Sequence, residues 1–153
     1  MKRCCFAGHS DFFDSLCKEK VMKIAESLVV NQNVKEFWVG NYGAFDSCAS
    51  SAIKELQKNY DDIILDLVIP YLTKSIIINK ELHLKKYDQI LIADIPQNTP
   101  KRFYVTKTNE YIVDNCDFLI CNVQQHFGGA FTTYKYAKRK DLQIYNIAEK
   151  ELE

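Results

Sequence analysis

At 153 residues, 47% of them hydrophobic, the chain is long enough for one domain with a substantial core and short for two. Twenty basic residues balance twenty acidic ones, so no global field draws it toward polynucleotides or anionic membranes, and nucleic acid is not the expected partner. No apolar stretch approaches the roughly 20 residues that cross a bilayer, and Met1-Lys2-Arg3 runs into a strand pattern instead of a signal-peptide core, so a cytoplasmic protein away from membranes is expected.

Apolar periodicity predicts strands alternating with helices. Residues 3–7 read as a strand, and 15–30 as a helix on which Leu16, Val21, Ile24, Ala25 and Leu28 recur at helical spacing. Residues 36–39 form the next strand. Asp46 then stands where it can cap a helix whose buried stripe is Cys48, Ala49, Ala52, Ile53 and Leu56, and 59–62 turns the chain into a strand at 63–69. Residues 70–87 mix both periods and are expected to be partly helical. A strand at 88–93 leads into a loop at 94–102, where Pro96 and Pro100 interrupt both helix and ladder. Residues 106–115 predict a short helix, 117–123 a strand, 132–140 a helix and 143–147 a last strand, before a charged tail at 148–153 that should fray. This alternation implies an α/β fold, a Rossmann-like three-layer arrangement with a mainly parallel sheet.

All five glycines, Gly8, Gly40, Gly43, Gly128 and Gly129, follow strand-like runs. Ligands of such sheets sit beyond the carboxyl ends of the strands, so these loops are the candidate site, with a nucleotide or a relative of one as the expected guest. After the first strand, Gly8-His9-Ser10 offers a tight turn, an imidazole and a hydroxyl; His9 either touches ligand or ties the loop. After the second, Gly40-Asn41-Tyr42-Gly43 runs into a helix start whose N–H groups welcome an anion, and Asp46 either caps that helix or reads ribose hydroxyls. After the fifth, Gly128-Gly129-Ala130-Phe131-Thr132-Thr133 is the strongest phosphate cradle, with Gly129 expected to need positive φ and Thr132 or Thr133 to add a hydroxyl. It matches neither the Walker loop nor G-x-G-x-x-G. Tyr42, Phe127 and Phe131 are candidates for stacking on a base, of which one is expected to touch ligand.

Six cysteines, at positions 4, 5, 17, 48, 116 and 121, form no C-x-x-C pair and have no histidine at ligand spacing, so no metal is expected and buried thiols are the default reading.

The stretches Phe6-Ala7-Gly8-His9, Gly43-Ala44-Phe45-Asp46 with Ala49 and Ala52, Asn109 to Asp114 leading into Cys116 to Ile120, and Gly128-Gly129 through Thr133, Tyr136-Ala137-Lys138 and Ile144 to Ile147 together resemble the YpsA-like branch of the SLOG superfamily. That Rossmann-like fold is shared by the Lonely Guy phosphoribohydrolases and the Smf-type DNA-processing proteins. The resemblance covers nearly the whole chain in the expected order. It implies one SLOG-like nucleotide-binding domain over 1–153, a small-molecule nucleotide-like ligand at the glycine loops with Asn109 among its neighbours, a homodimer, and no resident cofactor.

Catalysis is left open. Lonely Guy enzymes carry P-G-G-x-G-T-x-x-E; here Phe127 replaces the proline, Phe131 the third glycine and Lys135 the glutamate. Ser10 and Thr108 stand where YpsA-like proteins usually have arginines, so bidentate phosphate clamps are lost unless Lys107 or Arg102 compensates or the ligand carries less phosphate. Glu110 and Asp114, spaced i, i+4, present two carboxylates that serve either glycosyl chemistry or a solvated helix face. Three functions follow: binding or sensing of a nucleotide-derived ligand such as an ADP-ribose-like molecule; a hydrolase or transferase acting on an N-glycosidic bond through Asp46, Glu110 or Asp114; or a nucleic-acid-processing accessory role, for which Lys135, Lys138, Arg139 and Lys140 supply a modest basic stripe.

Overall fold

The computed structural model of the chain describes residues 2–9 and 15–148. Six strands, β1 (Lys2–Gly8), β2 (Val34–Val39), β3 (Ile64–Ile69), β4 (Gln89–Ile92), β5 (Phe118–Asn122) and β6 (Gln143–Asn146), form one sheet in the order β4-β3-β2-β1-β5-β6. Every pairing is parallel. Parallel neighbours need crossovers, and these are supplied by α1 (Cys17–Gln32), α2 (Ala44–Gln57), α3 (Lys74–Ile78), α4 (Lys80–Lys86), α5 (Tyr104–Asp114) and α6 (Gly129–Arg139). The expected Rossmann-like α/β architecture is therefore present, with a sheet that is parallel throughout.

Alternation along each strand divides the core in two. Cys4 and Phe6 of β1 join Phe37, Leu65, Leu67 and Ile120 beneath α1 and α2. Cys5 and Ala7 join Trp38, Val68, Leu119 and Cys121 beneath α5 and α6. The chain steps outward from β1 to β4 and then returns to lay β5 on the other side of β1. That reversal opens a crevice beyond the carboxyl ends of β1 and β5.

The helix ends explain where the elements depart from the sequence reading. Asn33, with φ 58°, takes the left-handed turn that stops α1, and its N–H bonds the Leu28 carbonyl. Gly43, not Asp46, caps α2; Asp46 lies inside the first turn. The α6 helix starts three residues earlier than predicted, because Gly128, at φ 91°, makes the turn that launches it. Within 70–87, α3 is capped by Thr73, whose Oγ1 accepts the Ile76 N–H at 3.2 Å. Of the aliphatic residues there only Ile76 is buried, while Leu72, Ile77, Ile78, Leu82 and Leu84 are exposed, which accounts for a segment whose apolar residues followed no single period. The fraying expected of the tail falls on residues that, beyond Ala148, lie outside those described.

Four cysteines, Cys4, Cys5, Cys116 and Cys121, are buried free thiols as expected. The other two correct that reading: Cys17, opening α1, is disulfide-bonded to Cys48 in the second turn of α2, with their Cα atoms 6.6 Å apart. The signal lay in long-range packing of α1 on α2, which no local spacing reveals. Among the described residues no group of His, Cys, Asp and Glu is arranged to hold a metal ion, and no helix is long and apolar enough to cross a membrane.

One polar cluster interrupts the sheet interior. The Glu36 carboxylate takes Arg3 Nε at 2.7 Å and Trp38 Nε1 at 2.8 Å, while Arg3 lies over the Trp38 ring at 4.9 Å. Asp66, opposite Trp38 on β3, is fully buried and receives no donor on either oxygen among the described residues. Burial first, and then the neighbouring Glu36 carboxylate, push its carboxyl up to about 8. Two facing carboxyls need a proton between them; a deprotonated pair would leave Asp66 with no donor.

Candidate functional site

A cavity of about 640 Å³ occupies the crevice. Its wall gathers Gly8 and His9 from the end of β1, Tyr42, Gly43 and Asp46 from the start of α2, Asn109 from α5, and Gly128, Gly129 and Thr133 from the start of α6. Four chain segments distant in sequence thus converge on one volume within the roughly 300–1,000 Å³ usual for small-molecule sites.

Each segment is positioned by a specific contact. Gly8 lets Phe45 close over β1: a side-chain carbon added at Gly8 would fall on the Phe45 Cβ and ring, so glycine is required here for packing as well as for access. His9 ties two loops together, its Nε2 accepting the Gln124 N–H at 3.3 Å, and it faces the cavity as well. Of the two alternatives left open for His9, the loop tie is therefore present. Asp46 Oδ2 accepts the Tyr42 backbone N–H at 3.0 Å, folding the loop back on the helix start. Burial raises the Asp46 carboxyl to about 6, with the Tyr42 N–H pulling the other way. Burial, then Tyr71 and Asp46, raise the Tyr42 phenol to about 12, so it stays a hydroxyl donor.

The cradle at α6 differs in detail from expectation. Gly128 holds the positive φ, whereas Gly129 begins the helix with open space where a side chain would stand. The hydroxyls of Thr132 and Thr133 donate to the carbonyls of Gly128 and Gly129 at 3.1 and 3.0 Å, so their protons are spent on the helix. Thr133 still lines the cavity as an acceptor; Thr132 lies outside its wall. What remains for an anion is the first turn of an 11-residue helix, whose leading N–H groups have no intrahelical partner.

Gly40 is likewise not on the wall. A side chain there would crowd the Tyr42 ring at 3.1 Å and Asp46 Oδ2 at 3.4 Å, so it gives those two residues room. Ser10 lies outside the described residues. Of the three aromatics, Tyr42 and Phe127 line the cavity, and Phe127 is 68% exposed at its mouth. Phe131 packs instead against His126 and Tyr134. Phe6, Ala7, Gln125 and Ala130 complete the wall together with Val105, which was not among the candidates. Val105 was hidden because the predicted helix began after it.

Charge on the wall is sparse. Among the described residues no lysine or arginine lines this cavity. Lys107 pairs with Glu110 at 3.1 Å and Arg102 lies over Phe103, so neither stands on the wall in place of the missing arginines. Lys135, at the position of the Lonely Guy glutamate, lies over the Phe131 ring at 5.0 Å and faces a separate groove. Asp114 accepts the Tyr136 hydroxyl at 2.8 Å and has Lys140 at 3.6 Å. The proposed Glu110–Asp114 pair is thus absent from the cavity wall, and among the described residues Asp46 is the carboxylate that lines it.

No protein-family model and no curated protein matches the chain. Among solved structures it is similar to DNA processing protein A (DprA) from Streptococcus pneumoniae, with a TM-score of 0.69 and 19% identity over 99% of this chain and 52% of that one. The chain therefore spans about half the length of that protein. A likeness at this identity is one of fold, and it agrees with the six-stranded α/β architecture.

Proposed function

We propose that this chain binds a nucleotide or nucleotide-derived ligand, such as an ADP-ribose-like molecule, at the carboxyl edge of a SLOG-like fold of the YpsA-like kind. The observation that carries this reading is the cavity itself, which collects the glycine loops after β1, β2 and β5 around one half-buried carboxylate. Asp46 suits ribose hydroxyls, since an ionised carboxylate keeps lone pairs free after accepting one N–H. The α6 N-terminus suits a phosphate. With Lys135 in place of the glutamate, binding without turnover is the favoured form of the reading. The resemblance extends the proposal to a homodimer. A cytoplasmic setting also belongs to it, although the Cys17–Cys48 bridge pulls against a reducing compartment.

The test is a thermal-shift screen against mononucleotides, dinucleotides, ADP-ribose and cyclic derivatives, followed by chromatography of each hit after overnight incubation. A true ligand raises the melting temperature by mass action. Recovery of intact ligand supports a binding or sensing role; release of free base makes Asp46 the candidate catalytic carboxylate; no shift with any nucleotide overturns the site reading.

A second reading is nucleic-acid processing, favoured by the fold likeness to a DNA processing protein and by α6. There Lys135 covers Phe131, Lys138 covers Tyr134, and Arg139 and Lys140 cover Tyr136, at 5.0–5.4 Å. Basic and aromatic side chains interleaved on one helix are the elements of a single-strand platform. Binding of single-stranded DNA that falls steeply with salt and with Lys138→Glu supports it; no salt-dependent binding removes it.

A further inference from the structure

Beside the nucleotide cavity lies a second chamber of about 420 Å³, beyond the carboxyl end of β3. The two share Tyr42 and Val105 in their walls, and Asn41 continues the boundary. The second chamber has a different chemistry. Tyr71 and Tyr104 meet edge to face with ring centroids 5.5 Å apart, and Thr73, Ser75 and His83 of the α3–α4 segment stand around them. Its wall also carries Lys101, and among the described residues no other lysine or arginine lines either chamber.

This division matters for what can fill the site. The larger chamber has a carboxylate, a helix N-terminus and an exposed Phe127, which suit one nucleoside and the start of its phosphate, but among the described residues no lysine or arginine lines it. The cation stands next door, beside two tyrosine rings. We infer that the ligand is a two-headed nucleotide, with one nucleoside in the larger chamber, a phosphate bridge passing Tyr42 toward Lys101, and a second ring against Tyr71 and Tyr104. The inference rests on the nucleotide reading of the larger chamber and specifies its ligand class. Aromatic faces accept any flat ring, and one stacked base contributes on the order of a tenfold gain in affinity.

Calorimetric titration of the full chain with AMP, ADP-ribose and NAD, which carry one ring, one ring with a second ribose, and two rings, tests it. Expected is NAD at least about tenfold tighter than either one-ringed ligand, with Tyr104→Ala bringing NAD down to the ADP-ribose affinity while leaving AMP unchanged. Tyr71→Ala, at a more exposed position, should act in the same direction and keeps the test alive if the Tyr104 variant misfolds. Equal affinities for AMP and NAD in the unmodified chain, or variants that weaken AMP and NAD alike, overturn the two-chamber inference while the nucleotide site stands. Failure of all three probes to bind overturns both.

Discussion

Asp46 reaches back from the first turn of α2 to take the backbone N–H of Tyr42, and in doing so it turns the loop after β2 into a wall of the cavity. Its carboxyl is raised to about 6 by burial, so the ionised form, the one suited to the proposed ribose hydroxyls, is lost as pH falls through about 6. Asp46→Asn should weaken a ribose-bearing ligand roughly tenfold, about 1.4 kcal/mol, at pH 7.5. At pH 5 the two proteins should bind almost equally. Calorimetry at both values checks this, and a pH-independent difference would show that Asp46 acts only through the loop.

The two neighbouring glycines at α6 should respond differently to alanine. Gly128 sits at φ 91° and ψ 173°, a region essentially reserved for glycine, where a side chain is strained by on the order of 1–3 kcal/mol. Gly129 is helical with open space beside it, so Gly129→Ala should leave stability unchanged or raise it slightly. Denaturant midpoints for the two variants, compared with the parent, separate them.

The contrast shows what was legible in the sequence and what was not. Strand alternation and the glycines placed the sheet and the loops correctly, because both are local signals of period and punctuation. Which glycine carries the positive φ was not local: Gly128 and Gly129 are identical in sequence terms, and only the path from β5 into α6 distinguishes them. The same limit hid the spent hydroxyls of Thr132 and Thr133, whose bonds to the preceding turn exist only once the helix begins at Gly129. It also made Glu110 and Asp114 look like a pair, although Lys107 holds one and Tyr136 the other.

The Cys17–Cys48 bridge closes a loop across a sequence separation of 31, and that loop contains all of β2. Chain-entropy arguments give such a closure about 3–4 kcal/mol. The Cys17→Ser, Cys48→Ser double variant should therefore unfold at clearly lower denaturant, and adding dithiothreitol to the parent should move its midpoint most of the way to that of the variant. Thiol titration of the denatured, unreduced parent should count the four free cysteines, rising to six after reduction. Six thiols without reduction would show that the bridge does not form under those conditions.

Asp66 makes the opposite prediction for pH. Its folded carboxyl is raised to about 8 by burial and by Glu36, against an ordinary value near 3.9 in the unfolded chain. The folded state holds the proton more tightly, so this group's contribution is greatest below about pH 4 and declines as pH rises toward about 8. Glu36 goes the other way: its burial is outweighed by the Asp66 carboxyl and then by the Trp38 and Arg3 donors, so the shared proton belongs on Asp66. Asp66→Asn replaces that proton with an amide N–H that can donate to Glu36 at every pH. It should therefore gain over the parent at both pH values, by at least about 1 kcal/mol more at pH 9 than at pH 5, and by little or nothing only below about pH 4. Urea midpoints at the two pH values decide it: a difference that does not change with pH means Asp66 is not the group that carries the proton.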